Sequence, residues 1–154
     1  MDQLNNMKEV SVDLLVKTTP EKIIRAFTDP VMLRGWWGVE RALVDTNKGG
    51  LYVLGWGISG QGFKYLSTGL VKLYEPGRIL IIDNYVYCTP DREFLGPMAL
   101  TVLAEQHSPG LTAMHIGQTG YREGGDWDWY YNAVVEAWPV AAKTLKEYLE
   151  AGKF

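Results

Sequence analysis

The sequence has one cysteine, Cys88, and two histidines, His107 and His115. A lone cysteine forbids an internal disulfide and makes a reducing, cytoplasmic address the default expectation. Neither HExxH nor CxxC occurs, so no metal site and no cofactor is expected. Long apolar runs are missing too. The longest purely aliphatic stretch, Ile79-Leu80-Ile81-Ile82, is far short of the ~20 residues of a membrane helix, and membrane insertion is not expected. The segment Met1–Asn6 has no apolar h-region, so a secretory signal is not expected either. Charge of one sign is scarce. Fifteen basic residues against eighteen acidic give −3, with no block of like charge, which argues against a nucleic-acid partner.

What is present is a globular composition. The chain has 154 residues, 47% hydrophobic and 21% charged, and one domain over residues 1–154 is expected. Six tryptophans and nine tyrosines stand out. Large rings with polar edges suit a rigid core, or an apolar pocket that needs a few hydrogen-bonding groups.

Hydrophobic periodicity gives the order of elements. From Lys8 to Lys17, Val10, Val12, Leu14 and Val16 alternate with Glu9, Ser11 and Asp13, the pattern of a half-buried strand. Thr19-Pro20-Glu21 opens a helix with Thr19 as its cap. Asp29-Pro30 opens a second short helix, expected to stop at Gly35. Strands are then expected over Val39–Asp45, Leu51–Trp56, Gly69–Glu75, Ile79–Tyr87, Met98–Glu105 and Leu111–Thr119, separated by turn-forming residues. Gly124-Gly125-Asp126 opens a long helix, with Asp126 as the expected cap and Trp127, Tyr131, Val134, Trp138, Leu145 and Leu149 on one face. Pro139 predicts a kink or a helix in two pieces. The implied class is α+β: a seven-stranded antiparallel sheet curved around a long C-terminal helix, with two short helices after the first strand.

These segments resemble the SRPBCC superfamily, also called START-like or helix-grip proteins. The resemblance is to the branch named after the activator of the heat-shock-protein-90 ATPase. It is carried by Thr19–Pro30, Leu33-Arg34-Gly35-Trp36-Trp37-Gly38, Asp45 with Gly49-Gly50, Gly69–Leu80, and Gly120-Tyr121 with the Trp138 helix. The resemblance implies a deep hydrophobic cavity between sheet and long helix. It also implies a function among ligand binding, cyclase or aromatase chemistry, and help to a chaperone. The chain departs from the family pattern at Ala137-Trp138-Pro139, where a Gly-Trp pair is common, and at Gln118, where a histidine is common.

Other motifs have plainer readings. Gly55-Trp56-Gly57-Ile58-Ser59-Gly60 matches G-x-G-x-x-G, but Gln61-Gly62-Phe63-Lys64-Tyr65 after it is a poor helix, so a hairpin or pocket-mouth loop is expected rather than a phosphate cradle. His107 falls in a turn, and His115 on the outer sheet face. Asp83 lies beside the aliphatic run, as a buried acid or as an outward strand residue.

The aromatic set carries the leading functional reading, a non-enzymatic binder of a small hydrophobic molecule, lipid-like or planar aromatic. Trp36, Tyr52, Trp56, Met114, Trp127, Tyr131 and Trp138 are the expected contacts, with Gln118 as an orienting hydrogen-bond group. Equally, the rings could fill the core and leave no cavity. A chaperone-binding module, using the Gly55–Gly62 loop, and a cyclase or hydrolase using Asp83 are the other two readings.

Overall fold

A computed structural model describes residues 8–154. Met1–Asn6, read above for a signal, lies outside the described residues. The order is β1 (Glu9–Val16), α1 (Pro20–Arg25), α2 (Pro30–Trp37), β2 (Arg41–Val44), β3 (Leu51–Trp56), β4 (Tyr65–Glu75), β5 (Ile79–Cys88), β6 (Leu95–Ser108), β7 (Leu111–Thr119) and α3 (Asp126–Ala151). The seven strands form one antiparallel sheet in the order β1-β7-β6-β5-β4-β3-β2. Six strands follow one another by hairpins, and β1 closes on β7 with Val12 opposite Ile116. This is the expected curved sheet around a long helix.

Bulges bend the sheet where it wraps α3. The β4–β5 register shifts between Thr68 and Leu70, and the β5–β6 register between Ile82 and Tyr85. Asn84 sits there at φ 48°, and an extra residue sharpens the local twist. Gly69 lies against the bulge. A β-carbon on it would collide with Ile82 Cγ2 and lie 3.0 Å from the Asp83 carbonyl.

Both short helices start as their sequences dictate. The Thr19 side chain accepts from Lys22 N–H, that of Asp29 from Val31 N–H, and each helix begins with a proline. The second does not stop at Gly35. It continues to Trp37 and ends on Gly38, which takes the left-handed conformation at φ 72°. Gly35 has a different duty. A β-carbon there would stand 2.7 Å from Tyr148 Cε1, so its bareness lets α2 approach α3.

The long helix runs unbroken through Pro139. The proline removes one amide donor, yet packing of Trp138, Ala142, Leu145 and Leu149 in the core holds both sides in one helix. Nor is Asp126 the cap. Gly125 occupies that position without a side-chain bond, Asp126 pairs with Arg92, and Asp128 accepts from Gly124 N–H at 3.0 Å. Among the described residues, no helix is long and apolar enough to cross a membrane.

Candidate functional site

The side chains of α3 decide where space is left. Trp127, Tyr130, Val134, Trp138, Ala142, Leu145 and Leu149 are buried against the sheet. Beside that stripe run Ala133, Ala137 and Ala141 at four-residue steps, one above another on the helix surface. Three methyl groups in a row do not reach the opposite wall. A cavity of about 430 Å³ remains between this part of α3 and the inner face of β3, β4, β5 and β7.

Its wall is aromatic. Trp37 and Trp138 lie 5.5 Å apart between ring centroids, Trp37 and Trp56 5.3 Å, Trp56 and Tyr65 6.0 Å, Tyr65 and Tyr87 6.3 Å, and Tyr87 and Tyr130 4.8 Å. The chain of six rings is closed into a circuit by one side chain, Gln118. Its Oε1 accepts from Trp138 Nε1 at 2.7 Å, and its Nε2 donates to the Tyr130 hydroxyl at 2.9 Å and towards Met98 Sδ at 3.3 Å. Gln118 is 1% exposed, so these partners supply what water no longer can. Ser67 and Tyr85 complete the polar lining, and among the described residues no aspartate, glutamate, lysine, arginine or histidine lines the cavity. Burial pushes the Tyr85 hydroxyl up to about 12, partly offset by Ser67, and raises Tyr130 well above the usual phenol range.

The wall is braced from behind. Trp36 stacks on Trp37 with centroids 4.7 Å apart and planes 11° apart, and its own Nε1 donates to the Ala26 carbonyl at 2.8 Å. Trp56 Nε1 donates to the Trp37 carbonyl at 3.0 Å. The glycine-rich hairpin after Trp56 is tied down by Glu40, whose carboxylate accepts from Gly57 N–H at 2.8 Å and Ile58 N–H at 3.0 Å. Those two bonds hold the Glu40 carboxyl below its ordinary range. They also occupy the amides that a phosphate cradle would need, so the G-x-G-x-x-G match is an anchored hairpin.

Next to the cavity, the segment after β5 meets the start of α3. Arg92 lies 3.6 Å over the Trp129 ring centroid, and its Nη1 meets Asp126 Oδ1 at 2.8 Å. A smaller hollow of about 390 Å³ under this segment shares Tyr65, Tyr87 and Trp129 with the main cavity.

The structure therefore brings Trp56, Gln118 and Trp138 to the cavity and places the other expected contacts elsewhere. Trp36 is a brace. Tyr52 is fully buried and donates its hydroxyl to the Phe27 carbonyl at 2.7 Å. Met114 is buried beside a second hollow of about 710 Å³, which is edged by Asp13, Arg78, Glu105 and His115. Trp127 packs edge-on to Tyr130 at 6.4 Å, and Tyr131 packs edge-on to Tyr121 at 5.1 Å under the Lys8 ammonium. Asp83 is half-buried in the register after Ile82 and does not line the cavity. His107 is exposed, and His115 Nδ1 lies 2.8 Å from Asp13 Oδ1 across the β1–β7 pair. Cys88 is buried, and desolvation raises its thiol. Among the described residues, no three His, Cys, Asp or Glu side chains converge as a metal site.

Solved structures repeat this architecture. Protein MLL2253 of Mesorhizobium loti superposes with a TM-score of 0.73 at 20% identity, over 96% of this chain and 100% of its own. The Aha1 dimer of Colwellia psychrerythraea gives 0.70 at 18%, over 96% and 99%. The AHSA1 protein of Silicibacter pomeroyi gives 0.68 at 19%, over 94% and 99%. At such identities the likeness is one of fold. No curated protein matches the sequence. Residues 17–150 match the family described as Activator of Hsp90 ATPase homolog 1-like protein, a span from the end of β1 nearly to the end of α3, and the chain belongs to that branch of the SRPBCC superfamily.

Proposed function

We propose that this protein binds a small, neutral, planar hydrophobic molecule in the cavity between α3 and the sheet, and acts as a binder rather than a catalyst. The observation that carries the reading is the closed circuit of six aromatic rings and Gln118 around about 430 Å³ of space. Rings in this arrangement offer edges and faces to a flat guest, and the polar groups are few and fixed. A charged guest would leave water without gaining a counter-ion from the lining. Burial at about 25 cal/mol per Å² supports micromolar affinity for a guest of two or three fused rings, after association costs are deducted. In this reading the contacts are Trp56 and Trp138 together with Trp37, Tyr65, Tyr87 and Tyr130.

Four of the six tryptophans, Trp37, Trp56, Trp129 and Trp138, line the cavity. Titration of intrinsic fluorescence with fused-ring aromatics, flavonoids and fatty acids tests the reading. Saturable quenching at micromolar concentration, lost in Trp138→Ala, is expected. No saturable response in the folded protein would overturn it.

A second reading, a chaperone-binding module, is favoured by the family description alone. The hairpin first assigned to it is held against the end of α2 by Glu40 and Trp56. Stimulation of a heat-shock-protein-90 ATPase by the purified protein is the discriminating assay.

A further inference from the structure

We infer that the Tyr130 hydroxyl sets the specificity of the cavity, donating a hydrogen bond to an oxygen acceptor, a carbonyl above all, on a neutral planar aromatic guest. The inference rests on the binding reading above and adds which chemical group the guest carries.

The argument is one of proton bookkeeping around Gln118. An indole nitrogen can only donate. The 2.7 Å contact with Trp138 Nε1 therefore fixes the oxygen of the Gln118 amide on that side. The amide nitrogen must then face the other way, towards Tyr130 at 2.9 Å and Met98 Sδ at 3.3 Å. Both of its protons are spent. Gln118 was expected to orient a ligand directly, but it has no donor left to do so. Its effect is passed on. The Tyr130 oxygen accepts the amide proton, so its own O–H is turned away from Gln118. Among the described residues, no side chain or carbonyl accepts that proton. Tyr130 is 6% exposed and lines the cavity. Its environment disfavours the phenolate, so the group stays a donor at any ordinary pH.

Two of the indole donors that line the cavity are committed. Trp138 Nε1 is bound to Gln118 and Trp56 Nε1 to the Trp37 carbonyl. A buried donor without an acceptor is costly, and a guest oxygen removes that cost. A guest presenting only C–H edges leaves it in place.

The test uses two tricyclic probes of the same shape. Fluorene has no acceptor, and 9-fluorenone carries one carbonyl. Their dissociation constants are measured by equilibrium dialysis on the wild-type protein and on Tyr130→Phe. The ketone-to-hydrocarbon preference, a ratio taken within each protein, is expected to fall roughly 3- to 10-fold in the variant, the range of one neutral hydrogen bond. The carbonyl stretch of bound 9-fluorenone supplies a readout that needs no variant. In the wild-type protein it is expected below its position in cyclohexane. Binding of both probes with an unchanged preference, or a carbonyl stretch at its cyclohexane position, would overturn the role of Tyr130 and leave the cavity reading standing. Binding of neither probe by folded wild-type protein would overturn both.

Discussion

Trp138 on α3 and Gln118 on β7 are joined by a 2.7 Å hydrogen bond inside the core. That bond ties the helix to the strand beneath it and closes the wall of the cavity. Gln118→Leu keeps the volume but strands the Trp138 N–H and removes a partner of Tyr130. The expected cost is about 1–3 kcal/mol of unfolding free energy, read as a lower urea midpoint. Replacing both partners by apolar groups, Gln118→Leu with Trp138→Phe, should recover part of it. A single variant as stable as the wild type would mean that the bond contributes nothing net.

The alanine stripe makes a sharper test of where a guest sits. Ala137 is exposed and lines the cavity. Ala137→Leu adds three carbons to the open space. Leucine is nearly as good a helix former as alanine, so stability should change by less than about 0.5 kcal/mol. Fluorene binding should weaken at least about tenfold, the loss of roughly 1.4 kcal/mol of contact. Unchanged binding would place the guest elsewhere.

These two cases show what the sequence could and could not tell. The strands were legible because Val10, Val12, Leu14 and Val16 keep a strict period of two against a one-sided core. The site was only partly legible. Of the adjacent Trp36 and Trp37, only three-dimensional stacking decides which one braces and which one faces the cavity. Tyr85 and Tyr87 were missed because the bulge at Asn84 changes the parity of β5: Leu80 and Ile82 point inward before it, Tyr85 and Tyr87 after it. Tyr130 and Tyr131 stand in a run of three rings, Trp129-Tyr130-Tyr131, and only the packing decides which of them faces the cavity. Ala133, Ala137 and Ala141 beside a stripe of large side chains mark where a helix face leaves room.

Arg92 should govern how fast a guest enters and leaves. It joins the segment after β5 to α3 through the Trp129 face and the Asp126 carboxylate. All three side chains are partly exposed, so each contact is worth less than about 1 kcal/mol. Arg92→Ala should therefore leave the fold intact. Stopped-flow mixing with a bound fluorophore should give faster association and faster dissociation by similar factors, with little change in affinity. If neither rate moves, guests use another door.

Alkaline pH should unfold the protein through its buried tyrosines. Burial raises the Tyr85 hydroxyl to about 12, and that of Tyr52 and Tyr130 well above the ordinary value of 10. The unfolded chain loses these protons near pH 10 while the folded chain keeps them. Protons bound to the unfolded state are then fewer, so stability falls as pH rises. Their stabilising contribution is complete below pH 10. For Tyr85 it is lost between pH 10 and 12 at about 1.4 kcal/mol per unit. Absorbance at the tyrosinate band, followed beside circular dichroism, should show some tyrosines titrating freely and the buried set appearing only with loss of structure. Tyr130→Phe and Tyr85→Phe should each shift that unfolding step to higher pH. A buried set that ionises before the fold is lost would mean that water reaches these hydroxyls through the cavity.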